Sequence, residues 1–370
     1  MATILRGLRR TMRYARSWRH GSETVASELL LERDGQMIPA TLVLPGGHGR
    51  SRLPAWIVLG GITSMGRFHP QLVRFSGALA SSGAAVLIPE VPEWRDLRLA
   101  PAVTLPTVRA AVEALRARPE VLPGKRGLIG FSFGAPQAAI AATCDGLSDD
   151  IAGVVSFGGY CDLERTLRCQ LTGRHEWDGV DHELSPDPYG RWCVASNYLT
   201  EVPGHESAAD VALALRQLAL ASTELRLAAW LPEHDALKRK LRAGIAATRR
   251  PLFDLFAHPS DATPPDRAQA EELSVALAGA CRRVDPLLDP ADSLSRVCKP
   301  MRLVHGRGDR LVPFTESLRL QRSLPAHVRS HVTVTGMFAH SADAAPPSMC
   351  ARLWEGALLF EALRGVINTV

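Results

Sequence analysis

Over the first half of the chain, short apolar runs bounded by Gly or Pro alternate with Ala-rich stretches of helical spacing. Ala55–Gly60, Ala84–Pro89, Gly127–Gly130 and Ile151–Phe157 carry almost no polar positions, as strands buried on both faces require. Glu23–Arg33 and Gln36–Pro45 read as two strands, and Asp34-Gly35 between them supplies residues that accept positive φ, which predicts an opening hairpin. Helical spacing fills the gaps at about His69–Ser82, Ala102–Arg118 and Phe133–Thr143. Buried strands separated by helices predict an α/β fold, with a mostly parallel sheet and helices on both faces.

The pattern changes after Tyr160, and up to about Val297 it is helical. Ala208–Trp230 carries Val211, Leu213, Leu215, Leu218 and Leu220; Glu233–Arg249 and Asp266–Arg283 follow, with Pro-rich breaks at Pro259–Pro265 and Pro286–Pro290. From Pro300 the first pattern resumes: strand Met301–His305, helix Phe314–Leu324, strand Val328–Thr335 and a closing helix from about Pro347 to Val366. The reading is a basic arm or helix over 1–22, an α/β core over 23–160, a helical insertion over 161–298 and the rest of the core over 299–370. There is no internal repeat.

The first twenty residues stand apart, since Arg6, Arg9, Arg10, Arg13, Arg16 and Arg19 alternate with Ile4, Leu5, Leu8, Met12 and Trp18. This predicts a basic amphipathic helix, either packed on the protein surface or in contact with an anionic membrane through residues 1–20. No apolar stretch of signal-peptide type follows it. The whole chain has 43 Lys and Arg and 38 Asp and Glu, and elsewhere the two signs are interleaved, so the net charge of +5 makes no nucleic-acid surface. A content of 46% hydrophobic and 22% charged residues, without an apolar run of ~18, predicts a globular protein with no transmembrane segment. The seven cysteines (Cys144, Cys161, Cys169, Cys193, Cys281, Cys298 and Cys350) have no CxxC spacing and read as reduced thiols of a cytoplasmic protein. His175 and His182 near Cys161 and Cys169 match no zinc spacing, so no metal is expected. Basic residues are mostly Arg and Ala is abundant, which points to a GC-rich bacterial genome.

Chemistry concentrates at Gly130-Phe131-Ser132-Phe133-Gly134, a G-x-S-x-G string between a predicted strand and a predicted helix. Glycines two residues either side of the serine let neighbouring backbone approach without Cβ clashes. A second loop, His305-Gly306-Arg307-Gly308-Asp309-Arg310-Leu311-Val312-Pro313, ends a strand and presents Asp309; a carboxylate there can orient a histidine through its Nδ1–H. The third, Gly336-Met337-Phe338-Ala339-His340-Ser341, follows another strand and offers His340 as general base. His305 is a rival base by residue type, but its place at a strand end reads as structural.

Ser132, Asp309 and His340 arrive in the order expected of an α/β-hydrolase, and here the sequence resembles that superfamily over roughly Glu23–Tyr160 and Pro300–Val366. The resemblance implies that the H-G-x-x-D-x-x-V-P loop holds the acid, and that the insertion is a helical cap placed before the acid-bearing strand. An oxyanion hole would use the backbone N–H of Phe133 and one from Gly60-Gly61-Ile62-Thr63-Ser64-Met65-Gly66, which stands where the family has an H-G motif. Gly60 replaces the histidine and Gly61 matches the glycine, so Ile62 supplies the amide, with Thr63 the alternative. The expected activity is hydrolysis of a small or medium-sized carboxylic ester, a small-molecule substrate, without cofactor. A peptidase or dienelactone hydrolase-like lactonase, an acyltransferase and a non-catalytic binding protein remain alternatives. Arg67, His69, Trp94 and Arg95 fall on loops at the same sheet edge, as substrate contacts or as packing.

Overall fold

The computed structural model describes residues 2–47, 49, 51–337 and 349–370. The first helix, α1 (Ala2–His20), precedes β1 (Thr24–Arg33) and β2 (Gln36–Pro45), which form the expected hairpin with Arg33 opposite Gln36. Asp34 and Gly35 take φ of 48° and 81°, the left-handed pair of a two-residue turn that matches strand twist. Then come β3 (Ala55–Leu59), α2 (Pro70–Ser81), β4 (Ala85–Pro89), the single turn α3 (Pro92–Arg95) and α4 (Thr104–Arg116). β5 (Arg126–Phe131), α5 (Gly134–Ala141) and β6 (Ile151–Phe157) complete the first part of the core.

Between β6 and the next core strand lie α6 (Leu163–Thr172), β7 (Arg174–Trp177), β8 (Val180–Glu183), α7 (Tyr189–Tyr198) and α8 (Ala209–Leu225). α9 (Asp235–Gly244), α10 (Arg250–Ala257), α11 (Arg267–Val284) and α12 (Ala291–Leu294) follow. The chain then returns through β9 (Met301–Gly306), α13 (Thr315–Ser323), β10 (Ser330–Thr335) and α14 (Met349–Ile367). The segment is not wholly helical: β7 and β8 pair antiparallel around Asp178-Gly179, with φ of 50° and 78°. Its strands RHEW and VDHE are too short and polar to show alternation, although the Asp-Gly turn repeats the signal of the opening hairpin. The stretch expected as one helix from Glu233 breaks after Gly244, where Ile245 is extended and buried and Pro251 restarts a helix in its first turn.

The sheet order is β1-β2-β4-β3-β5-β6-β9-β10, with the β1–β2 and β2–β4 pairings antiparallel and all the others parallel. Residues alternate between its faces. Trp56, Val58, Ile129 and Val155 meet Tyr14, Phe75, Leu79 and Val366 of α1, α2 and α14. Ile57, Leu59, Leu128 and Val154 belong to the larger core formed with α4, α5 and the inserted helices. Because β3, β4, β5, β6, β9 and β10 run in one direction, the loops leaving them meet at one carboxyl edge, where ligands bind in open α/β sheets.

The inserted helices rest on that edge. Tyr189 Oη donates to the Ile62 carbonyl at 2.9 Å, and Asn197 Nδ2 to the Leu97 carbonyl at 2.9 Å. Gln170 Nε2 reaches the Leu311 carbonyl at 3.0 Å, and the Asp187 N–H the Arg310 carbonyl at 2.8 Å. Loops after β3, β4 and β9 are therefore each held by the insertion.

Candidate active site

Ser132 follows the last residue of β5 and takes φ of 51°, a left-handed conformation that costs a non-glycine residue about 1 kcal/mol and marks functional turns. Its N–H donates to the Phe157 carbonyl at 2.8 Å and its carbonyl accepts from the Ala135 N–H at 3.0 Å, so the turn is fixed from both sides. A Cβ on Gly130 would overlap the backbone of Gly134 and Ala135, and one on Gly134 would overlap the Gly60 carbonyl. The two glycines of the motif are thus required by close backbone approach. Ser132 is half-buried, whereas Phe133, first of α5's flank, is buried against Trp94 with ring centroids 5.1 Å apart.

The loop after β3 crosses directly over the serine. A Cβ placed on Gly61 would sit 3.2 Å from Ser132 Cβ and 3.7 Å from its Oγ. Ile62 is buried, and its carbonyl is held by Tyr189. Further along, Gly66 N–H donates to the Thr63 carbonyl at 3.0 Å and Met65 N–H to Thr63 Oγ1 at 3.3 Å, making the loop a closed turn. Gly66 has φ of 51° and lies against the carboxylate of Glu90, the residue just after β4. Glu90 accepts the Arg67 and Val91 backbone N–H groups, and burial outweighs the nearby Arg67 and Arg95 charges to push its carboxyl above the usual range. Arg67 is itself buried, pairs with Glu28 and stands 3.8 Å from Glu90 Oε2.

Asp309 is buried three residues past β9, with Oδ1 accepting the N–H groups of Leu311 at 2.9 Å and Val312 at 3.0 Å. Its Oδ2 lies 3.4 Å from Nε2 of the fully buried His305. That histidine is engaged on both nitrogens, Nε2 with the Val312 carbonyl at 2.9 Å and Nδ1 with Ser317 Oγ at 2.6 Å. Since a carbonyl only accepts, Nε2 carries the proton toward Val312. His305 braces the loop of Asp309 and is enclosed there. Glu316, at the start of α13, extends the bracing by accepting the Cys161 and Asp162 N–H groups at 3.0 and 2.9 Å and Arg165 Nε at 3.0 Å.

His340 lies outside the described residues, five positions beyond the end of β10. The fold brings Ser132, Phe133, Ile62 and Asp309 to one sheet edge. Trp94 is buried in packing and Arg95 is exposed. Tyr189 and Glu90 escape sequence reasoning: Tyr189 sits in a helical stretch without motif, and Glu90 differs from any surface glutamate only through its place after a buried strand. Among the described residues, no group of three or more His, Cys, Asp or Glu could hold a metal ion, and no helix is long and apolar enough to cross a membrane.

No family model matches the chain, and no curated protein matches it. Among solved structures, a bacterial brefeldin A esterase, described as a homologue of human hormone sensitive lipase, is similar at 16% identity. It covers 94% of this chain and 76% of its own, with a TM-score of 0.50. Est1E from Butyrivibrio proteoclasticus is similar at 14% identity over 92% of this chain and 99% of its own, with a TM-score of 0.48. Pyrococcus horikoshii acylaminoacyl peptidase is similar at 11% identity and a TM-score of 0.46; 92% of this chain spans 40% of that one. At such identities the likeness concerns the fold alone. The chain has the α/β-hydrolase fold.

Proposed function

We propose that the protein is a serine hydrolase that cleaves the carboxylic ester of a small or medium-sized substrate through an acyl-enzyme. The observation that carries this reading is Ser132 held at φ of 51° at the tip of a central strand, with the Gly61 backbone crossing its side chain. A serine kept in that conformation by two obligatory glycines is arranged to expose its hydroxyl. In the proposed cycle His340 takes the Ser132 proton as Oγ attacks the ester carbonyl. Asp309 orients His340 and stabilises the imidazolium. The N–H groups of Phe133 and Ile62 receive the oxyanion, each such donor lowering the barrier by about 2.7–4 kcal/mol. His340 then returns the proton to the departing alcohol and activates water to release the acid.

Residues 161–298 act in this reading as a cap that excludes water and shapes the substrate pocket, supported by their bonds to the loops after β3, β4 and β9. The free thiols of Cys144, Cys161, Cys169, Cys193, Cys281 and Cys298 suit a cytoplasmic setting. Labelling of wild type and Ser132→Ala by a fluorophosphonate, alongside p-nitrophenyl esters of increasing acyl length, tests the proposal. Serine-dependent labelling with a preferred acyl length is expected, and a folded wild type that neither labels nor turns over any ester overturns it.

A further inference from the structure

Helix α1 docks with a side that combines small and polar residues with the aromatic Tyr14. Among the described side chains of the helix, Gly7, Thr11, Tyr14 and Ser17 are buried: Gly7 backs onto the Asn368 side chain, Tyr14 packs edge-on to Phe75, and Ser17 bonds Ser22 at 2.6 Å and Ser81 at 3.0 Å. Arg10 fastens the same side to the Val370 carbonyl at 2.9 Å. Tyr14 and Trp18 pack toward the core, whereas Leu5, Leu8 and Met12 go the other way, 51%, 38% and 58% exposed. At 100° per residue these three fall within an arc of roughly 60° on the outward side. The exposed Arg9, Arg13 and Arg16 lie along one flank of the stripe and Arg19 lies within it. The helix contains no Asp or Glu. Val73 of α2 and Leu353 and Trp354 of α14, in the layer beneath, are exposed as well.

An ordered helix that turns Leu5, Leu8 and Met12 outward beside a row of arginines, and carries no acidic residue, suits one kind of surface. We propose that this face of α1 docks on an anionic phospholipid membrane, with Leu5, Leu8 and Met12 entering the boundary between headgroups and acyl chains and the guanidinium groups meeting lipid phosphates. A second copy of the chain would set these arginines against themselves across a two-fold interface. Nucleic acid would leave the apolar stripe in water. The proposal is independent of the hydrolase reading.

The test is co-sedimentation of the full chain with vesicles of phosphatidylcholine alone and with about 30% phosphatidylglycerol added. Two variants accompany it: Leu5→Gln/Leu8→Gln/Met12→Gln and Arg9→Gln/Arg13→Gln/Arg16→Gln. All six side chains are exposed, so circular dichroism and melting of both variants should match the parent. The parent is expected to bind only the anionic vesicles and to be released by salt. Removing three arginines should weaken binding on the order of a hundredfold, and the apolar variant should be weakened at every salt concentration. Absence of binding to anionic vesicles, equal binding by parent and variants, or an α1-dependent dimer that excludes vesicles would overturn the proposal.

Discussion

Tyr189 donates its phenolic hydrogen to the carbonyl of Ile62 at 2.9 Å, joining the first turn of an inserted helix to the loop that crosses Ser132. Burial pushes the phenol well above its ordinary pKa, so it remains a donor at any pH the protein would meet. The peptide unit it grips carries the Thr63 N–H in the opposite direction, because the bond is trans. Tyr189→Phe therefore frees this unit. It should lower kcat for p-nitrophenyl esters about 3–10-fold, in line with one neutral hydrogen bond, with KM little changed. Steady-state kinetics on the purified variant decide it, and an unchanged kcat would mean that the loop is held without the insertion.

Replacement of the serine separates chemistry from strain. Ser132→Ala should lower turnover at least ~10⁴-fold while leaving the fold intact. Ser132→Gly should be equally inactive yet more stable than Ser132→Ala by about 1 kcal/mol, because only glycine adopts φ of 51° without a Cβ penalty. Urea unfolding of the two inactive variants measures this difference without reference to any substrate.

The acid and its rival can be told apart. Asp309→Asn should reduce kcat about 10⁴-fold, and it should also destabilise the loop by turning an amide NH₂ or a weaker acceptor toward His305 Nε2–H. His305→Gln should lower stability, since both ring nitrogens are engaged, while its folded fraction still takes the fluorophosphonate label. Loss of labelling in well-folded His305→Gln would make His305 the base.

Gly66→Ala tests the support of the loop that carries the proposed oxyanion donor Ile62. The added Cβ would overlap Glu90 Oε1 at a residue with φ of 51°, so either the carboxylate or the loop must move. A stability loss of about 1–3 kcal/mol and a fall in kcat are expected together, read from thermal unfolding and ester kinetics.

His175 gives a pH prediction. Burial, with His182 stacked at 4.9 Å, lowers its pKa to about 4 from 6.5. The unfolded chain therefore takes up a proton as pH falls below 6.5, whereas the folded protein does so only near 4. Stability contributed by the neutral ring is complete above pH 6.5 and declines between 6.5 and 4. Because the ring is partly exposed, the loss should be about 1–2 kcal/mol. His175→Phe should flatten the decline in melting temperature over this window, and an unaltered slope would assign it to other groups.

Much of the architecture follows from local rules that a single sequence displays. Buried strands such as Ala55–Leu59 and Ile151–Phe157 carry their apolar runs openly, Asp34-Gly35 encodes its turn, and G-x-S-x-G encodes a backbone approach that only glycine permits. Those features depend on near neighbours in the chain. The hairpin around Asp178-Gly179 was hidden because its four-residue strands are polar, and the break at Ile245 because the residues on both sides of Gly244 keep a helical spacing while Ile245 itself is extended and buried. Arg residues along α1 disclosed a basic helix, but which side would face the protein depended on α2 and α14, against which Gly7, Thr11, Tyr14 and Ser17 are buried while Leu5 and Met12 stay exposed. Likewise, Tyr189 acquires its role only where α7 meets the loop of Ile62, 127 residues away, and Glu90 only where β4 ends beneath Gly66. The sequence by itself determined the strands, the crossovers and the candidate nucleophile, since these rest on periodicity and local sterics. Tertiary structure decided what braces the site and what the first helix exposes, since contacts between distant segments leave no period in the chain.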